Sequence, residues 1–540
     1  MADNGDGTYR NPVLAGDYSD PDAVRVGDDY YLVSSSFTDV PGLPILHSRD
    51  LVNWTVIGHA LARVLPDDHY RTARRGGGVW APAIRHHGGR FLVYYPDPDR
   101  GIFVVSALDP RGPWSDPVLV DATPGAIDPA PFWDDDGTGW LGYAFAKSRA
   151  GKANLIALKR LNSAGTATVG PERIIIDGDR QPPVETSLGP RPWQTTEGPK
   201  IYKRAGWYYV FVPSGSVKGG WQGVFRSRSL TGTYEGRNVL DQGRTAINGP
   251  HQGAWVDTPG GEDWFLHFQD RDTYGRVVLL EPMRWQDGWP IIGRASKGDR
   301  RGEPVTTYRK PALPRQPRGA PVADDEFDDA VSLAWQFGSN PGDDWMSVED
   351  GRLRLKSVTG STDLYENGAL LSQKLPGPRF CARTRMRFAP LRVGERAGLA
   401  VHGTNFAWVG LENRDDGVRL VQAYRADGAP GDAITQVAGP SVKQDAVWLE
   451  LCAEPVTVGV PPPDFTPYWP SMLRETRMAV RFAYSFDGHS YTGLGEPFEA
   501  RAGRWVGAQI GLFAQAALGT PAALGTSVGH ADFDWFRIDK

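Results

Sequence analysis

The sequence predicts an all-β protein in two parts: a five-bladed β-propeller, then a β-sandwich of jelly-roll, concanavalin-like type. Three observations predict it. One short unit recurs five times in the N-terminal part of the chain, and self-similarity at a fixed spacing marks a repeat architecture. The 65 Gly and 44 Pro supply many turns, and the 19 Trp, 19 Tyr and 21 Phe come in short bursts rather than at helical spacing, which favours strands. Beyond a proline-rich stretch, apolar and polar residues alternate with period two.

The five copies are SDPDAVRVGDDYYLVSSSF from Ser19, WAPAIRHHGGRFLVYY from Trp80, IDPAPFWDDDGTGWLGYAF from Ile127, TEGPKIYKRAGWYYVFV from Thr196 and HQGAWVDTPGGEDWFLHFQ from His251. Each reads as an apolar strand, a polar reversal (GDD, HGG, DDDG, RAG or PGGED) and an aromatic strand, which is a β-hairpin. The segments HSRDLVNW, SALDPRGPW and SRSLTGTYE follow some copies as further, outer strands. Four short strands per unit fit a propeller, where radial repetition protects the sheet edges. The first residue of each hairpin then occupies an equivalent place near the axis, so Asp20, Trp80, Asp128, Glu197 and His251 are expected to form one ring. An acidic residue before Pro or Gly is, taken singly, an ordinary turn starter. Three carboxylates, a Trp and a His at all five places argue for a site.

The repeat stops after Ile292. Residues 1–308 are read as the propeller, 309–324 (within YRKPALPRQPRGAPVADD) as an extended linker, and 325–540 as the sandwich. The sandwich strands include RLRLKS, RTRMRF, VWLELCA, RMAVRFAYSF and ADFDWFRI, punctuated by turns such as Asp487-Gly488. Cys381 and Cys452 lie in apolar strand-like runs, where buried free thiols are the expected state. A net charge of -5 without blocks of like charge argues against nucleic acid or another polyanion as partner. No apolar run is long enough to cross a membrane, and the N-terminal residues lack the basic and apolar parts of a signal peptide. Location is left open: cytoplasmic, or periplasmic or secreted if a leader has been removed.

The same residues carry a resemblance to glycoside hydrolase family 43, the β-xylosidase and α-L-arabinofuranosidase family. NPVLAGDYSDPDAVRVGDDYY resembles the family's N-terminal marker, which implies that Asp20 is the general base. GAIDPAPFWDDDG likewise implies that Asp128 orients the sugar and raises the pKa of the acid, and TEGPKIYKRAGWYYVF implies that Glu197 is that acid. The resemblance further implies that Trp80 stacks on sugar, that Arg276 in YGRVVLLEPMRW hydrogen-bonds the terminal sugar, and that His251 faces a structural calcium or its water shell. No cofactor is expected for the chemistry itself. The sandwich resembles a C-terminal module that leans on the propeller rim. Ala83 after WAP departs from the better-known xylosidases, and YYPDPDRGIFVV with HQGAWVDT is similar to a branch that removes arabinose side chains.

Glycoside hydrolysis needs one protonated carboxyl at the leaving oxygen and one carboxylate on the other face, ~6.5–9.5 Å away when a water must fit between them, as in inversion. Heads of separate blades suit that wider gap, so inversion is expected, and the resemblance implies exo-acting removal of terminal α-L-arabinofuranosyl or β-D-xylosyl units from hemicellulose. Phe37 and Trp193, in long loops, are candidates for the pocket wall, Phe37 as a substrate contact. Asp134 to Asp136 fit a turn better than a calcium loop, because the later oxygen ligands of such a loop do not follow. A rim loop within VGVPPPDFTPYWPSML is expected to close one end of the pocket. Two other readings compete. A propeller fructosyl hydrolase requires Asn-Asp-Pro and Arg-Asp-Pro segments, which are absent; a non-catalytic carbohydrate-binding protein requires loss of the acid or base, yet all three carboxylates are present.

Overall fold

Short two-residue reversals close several of the predicted hairpins. In the computed structural model His87 pairs with Arg90 across Gly88 and Gly89, both left-handed, and Arg204 pairs with Trp207 across Ala205 and Gly206, also left-handed. Two consecutive positive φ angles match the twist of the flanking strands, and glycine accepts them without strain. The structure describes residues 1–295, 298–321, 324–342, 344–358, 363–366, 370–426, 433–460, 473–517 and 528–539.

Five four-stranded antiparallel sheets follow in chain order, so the propeller reading holds. Their first, inner strands are Asp22–Val26, Ala83–His87, Ala126–Trp133, Lys200–Arg204 and His251–Asp257, for blades 1 to 5. The outer-strand reading also holds: HSRDLVNW bridges Gly42–Ser48 and Thr55–Leu61, and SRSLTGTYE bridges Trp221–Ser227 and Glu235–Asp241. Apolar side chains cement neighbouring blades, with Val33 and Ile45 against Val93 and Val105, and Ile156 against Ile201 and Val210. The N-terminal segment closes the ring. Leu14 bridges Val278 of blade 5 just before the chain enters blade 1, and Thr8–Arg10 pairs with Thr307–Arg309.

The second part is a sandwich of a seven-stranded and an eight-stranded sheet around a core that includes Leu399, Val409, Leu449 and Phe533. It packs directly on the propeller. Tyr274 of blade 5 joins the sandwich core, Val40 and Phe337 exchange backbone hydrogen bonds, and buried Asp39 accepts from Gln509 at 2.6 Å. The Asp487 carboxylate accepts from the amides of His489 and Ser490, as its turn position predicts. Residues 461–472, which hold nearly all of the expected rim loop, lie outside the described residues.

The free-thiol expectation is corrected: Cys381 and Cys452 form a disulfide. They are direct cross-strand neighbours in the eight-stranded sheet, and strand alternation turns both away from the core face that Phe380, Ala382 and Leu451 occupy. The apolar neighbours in sequence belong to the opposite face. The bond closes a 71-residue separation, so the C381S/C452S double variant is expected to lose about 2–4 kcal/mol of sandwich stability, read from its denaturant transition.

Candidate active site

A proline stands at the start of the inner strand in blades 1 to 4, and Gly253 takes its place in blade 5. Asp20, Asp128 and Gly198 precede prolines and, like Gln252, adopt positive φ, between 39° and 57°. The expected equivalence of the five ring residues is therefore corrected. Asp20 and Asp128 stand at the left-handed position itself, whereas Glu197 and His251 stand one residue ahead of it; Trp80, in Trp80-Ala81-Pro82, keeps the same spacing from its proline. The bulges that skip Asp128 and Gln252 in strand pairing are the local sign of this geometry. A left-handed non-glycine residue costs about 1–3 kcal/mol and persists where its surroundings hold it. Here the holds are visible. Asp20 accepts from Ser35 Oγ at 2.6 Å and from Arg276 Nη1 at 3.1 Å, and Asp128 accepts from the Gly198 amide at 2.8 Å. Gly198 cannot be replaced freely, because a Cβ there would stand 2.8 Å from Gln252 Cδ.

The predicted ring residues Asp20, Trp80, Asp128, Glu197 and His251, together with Arg276 and Phe37, line one pocket of about 600 Å³. Trp193 does not belong to it and is corrected to a core residue: it is buried between Trp221 and Phe225, and its Nε1 donates to Pro182 O. Asp134 sits in a turn, tied to Lys203 and Tyr208, as the sequence suggested.

Electrostatics separates the carboxyls. Burial, with Asp128 and then Asp20 nearby, pushes Glu197 well above the ordinary glutamate range. Burial and then Asp20 raise Asp128 to about 6, while the Gly198 amide opposes the rise. Asp20 faces a cation instead, the buried Arg276 guanidinium. One carboxyl is thus disposed to keep its proton and another is paired with a buried cation, the division of labour that hydrolysis of a glycoside requires.

His251 is buried, its Nε2 lies 3.5 Å from Glu197 Oε1, and neither ring nitrogen has a hydrogen-bond partner among the described residues. Burial lowers its pKa to about 3, so the ring is neutral. Calcium takes six to eight oxygen ligands. Around His251 the chain offers a nitrogen and a carboxyl disposed to stay protonated, and among the described residues no three ligand atoms converge there. This donor set does not fit a directly held calcium, and no step is derived through one.

The sandwich supplies a wall that the sequence did not reveal. Trp505 lines the pocket edge-on to Trp80, with ring centroids 6.5 Å apart, and Arg276 lies 5.9 Å from its ring. Asp17 fixes this loop: one oxygen accepts from the Arg276 amide and the other from the Gly507 amide, both at 2.8 Å. Gly507 has to be glycine at this approach, because a Cβ would meet the Gly275 amide nitrogen at 2.7 Å. The only local signal was a tryptophan set between glycines in RAGRWVGAQ. Gln252, whose amide hydrogen-bonds Asp128, carried no signal beyond its neighbour His251.

Residues 9–290 match the family model described as Glycosyl hydrolases family 43. The chain belongs to glycosyl hydrolase family 43. Residues 324–539 match the beta xylosidase C-terminal concanavalin A-like domain, so both parts have counterparts among family 43 proteins. A putative beta-xylosidase of Xylanibacter ruminicola is 34% identical over 94% of this chain and 86% of its own length. A non-reducing end alpha-L-arabinofuranosidase of Bacteroides ovatus is 31% identical over 73% of each chain. Among solved structures, a xylan beta-1,4-xylosidase of Bacillus halodurans superposes with a TM-score of 0.80 at 25% identity, covering 98% of this chain and all of its own. The family 43 membership makes this chain a glycosidase.

Proposed function

We propose that this family 43 enzyme removes terminal α-L-arabinofuranosyl or β-D-xylosyl units from hemicellulose with inversion, Asp20 acting as base and Glu197 as acid. The observation that carries the reading is the convergence of three carboxyls, one raised well above its ordinary range and one paired with a buried cation, in one pocket that Trp505 walls from the second domain. Residues 1–308 are taken as the catalytic unit and 325–540 as the module that completes its rim. The Bacteroides ovatus relative is named for action at the non-reducing end. That name supports entry by a chain end or a branch, and with it exo-action.

Asp20 accepts a proton from water as that water attacks the anomeric carbon, and the glycosidic C–O bond breaks. Glu197 gives its proton to the leaving oxygen. Asp128 is placed to hold sugar hydroxyls and, by like charge, to keep Glu197 protonated. Trp80 and Trp505 offer apolar faces to the ring, and Arg276 aligns Asp20. Relatives named for both pentoses support this class without separating its members.

The test compares kcat/KM on nitrophenyl α-L-arabinofuranoside and nitrophenyl β-D-xyloside, with the anomer first released read by NMR. Turnover of either with an inverted first product is expected; binding of both without turnover, or a retained product, refutes the reading. We also propose that hydrolysis proceeds without a metal, since acid, base and modulating carboxylate all come from the chain. Exhaustive chelation should leave kcat unchanged, and a fall restored by calcium alone would return His251 to the metal role.

A further inference from the structure

Below the three carboxyls the inner strands bring a second charged layer to the axis. Asp22 comes from blade 1, Arg85 from blade 2 and Lys200 from blade 4, with Asp22 and Lys200 fully buried. Asp22 Oδ2 takes Arg85 Nη1 at 2.6 Å, so Arg85 already has its counter-charge. Lys200 has none in contact: its Nζ makes no hydrogen bond among the described residues, and neither do Asp22 Oδ1, Arg85 Nη2 or Gln252 Oε1. Orphaned polar atoms around one buried axis are what internal water satisfies.

Charge bookkeeping assigns Lys200 a task. The groups at this end of the axis comprise four carboxyls, Asp20, Asp22, Asp128 and Glu197, and three cations, Arg85, Lys200 and Arg276. Arg276 is matched to Asp20 and Arg85 to Asp22. Neighbouring Asp17 is held by backbone amides, and Lys218 is shared between Asp270 and Asp272. The remaining cation is Lys200 and the remaining carboxyls are Asp128 and Glu197. Buried charge is costly unless balanced, and these seven groups balance when one carboxyl of the four keeps a proton.

We infer that Lys200 is a positioning residue that sets the proton count of the catalytic carboxyls, its ammonium balancing Asp128 from beneath so that a single proton resides in the cluster, on Glu197. It does not touch the sugar; it acts through Asp128 and Asp20, and the inference rests on the acid and base roles proposed above. Lys200 also feels Asp22 and Arg85, and Tyr202, two residues on along its own strand, feels the same two groups. Burial draws Lys200 below the ordinary lysine range, and Asp22, Asp128 and Asp20 oppose that.

Removing a buried cation strengthens proton binding by every carboxyl that felt it. K200M should therefore move the acidic limb of the pH profile of kcat/KM to higher pH, by about one unit, because Asp128 and Asp20 then hold protons more strongly. K200R, which keeps a charge at all working pH values, should hold the profile near its original position. D22N removes an anion from the same layer and should move the profile to lower pH, which provides a test of opposite sign should K200M fail to fold. Thermal unfolding verifies the fold of each variant. A K200M profile that loses height without moving, or a D22N profile that does not move, overturns the role of Lys200. Full activity in D20N or E197Q overturns instead the assignment of base and acid, so the two failures are distinguishable.

Discussion

E197Q is expected to lose about 10²- to 10⁴-fold in kcat/KM on xylo- or arabino-oligosaccharides, the usual worth of a positioned proton donor. The loss should depend on the leaving group. A sugar alkoxide needs the proton, whereas a nitrophenolate departs largely without it, so the nitrophenyl glycoside should lose much less than the oligosaccharide. A loss equal on both substrates would mean that Glu197 has some duty other than protonating the leaving oxygen. The pH dependence has a definite sign. Because burial and the two aspartates raise the pKa of Glu197, its protonated form survives to higher pH, and kcat/KM falls as pH rises through that raised value. D128N removes the larger like-charge contribution, lowers the pKa of Glu197 and should bring this alkaline limb to lower pH.

D20N is expected to cost the most, at about 10⁴-fold or beyond, and equally for good and poor leaving groups. Two losses combine. The amide cannot take the proton from attacking water, and Arg276, held at 3.1 Å by the carboxylate and buried, loses its counter-charge. An unpaired buried guanidinium attracts another anion or moves, so the sugar-facing wall between Arg276 and Trp505 is disturbed as well. The acidic limb of the wild-type profile, which reports the protons that disable the base, should be absent from whatever activity remains. Retention of that limb in D20N would assign it to Asp128, whose pKa is raised to about 6.

The propeller was legible because each blade carries its own local instructions. Reversals such as His87 to Arg90 are decided by the residues that make them, and Gly88-Gly89 specify the turn wherever the hairpin lies. The same is true of the site residues borne on strand heads. Asp20, Trp80, Asp128, Glu197 and His251 repeat with the blades, so finding the blades found the pocket. The one-residue offset of Trp80 and Glu197 was also written in the sequence, in the positions of Pro82 and Pro199, but its meaning depends on the left-handed backbone at Asp20 and Asp128.

What the sequence determined by itself was therefore everything that period and turn chemistry encode: two β domains, five blades and three carboxyls at the axis. Tertiary structure decided the contacts between residues far apart in the chain. Cys381 meets Cys452 because two strands share a register, Trp193 is core because Trp221 and Phe225 enclose it, and Trp505 reaches the pocket because Asp17 joins Gly507 to Arg276. Even the charge state of Lys200 follows from partners on other blades. Local patterns fix backbone geometry over a few residues, whereas burial, pairing and proton affinity are sums over neighbours that only folding assembles.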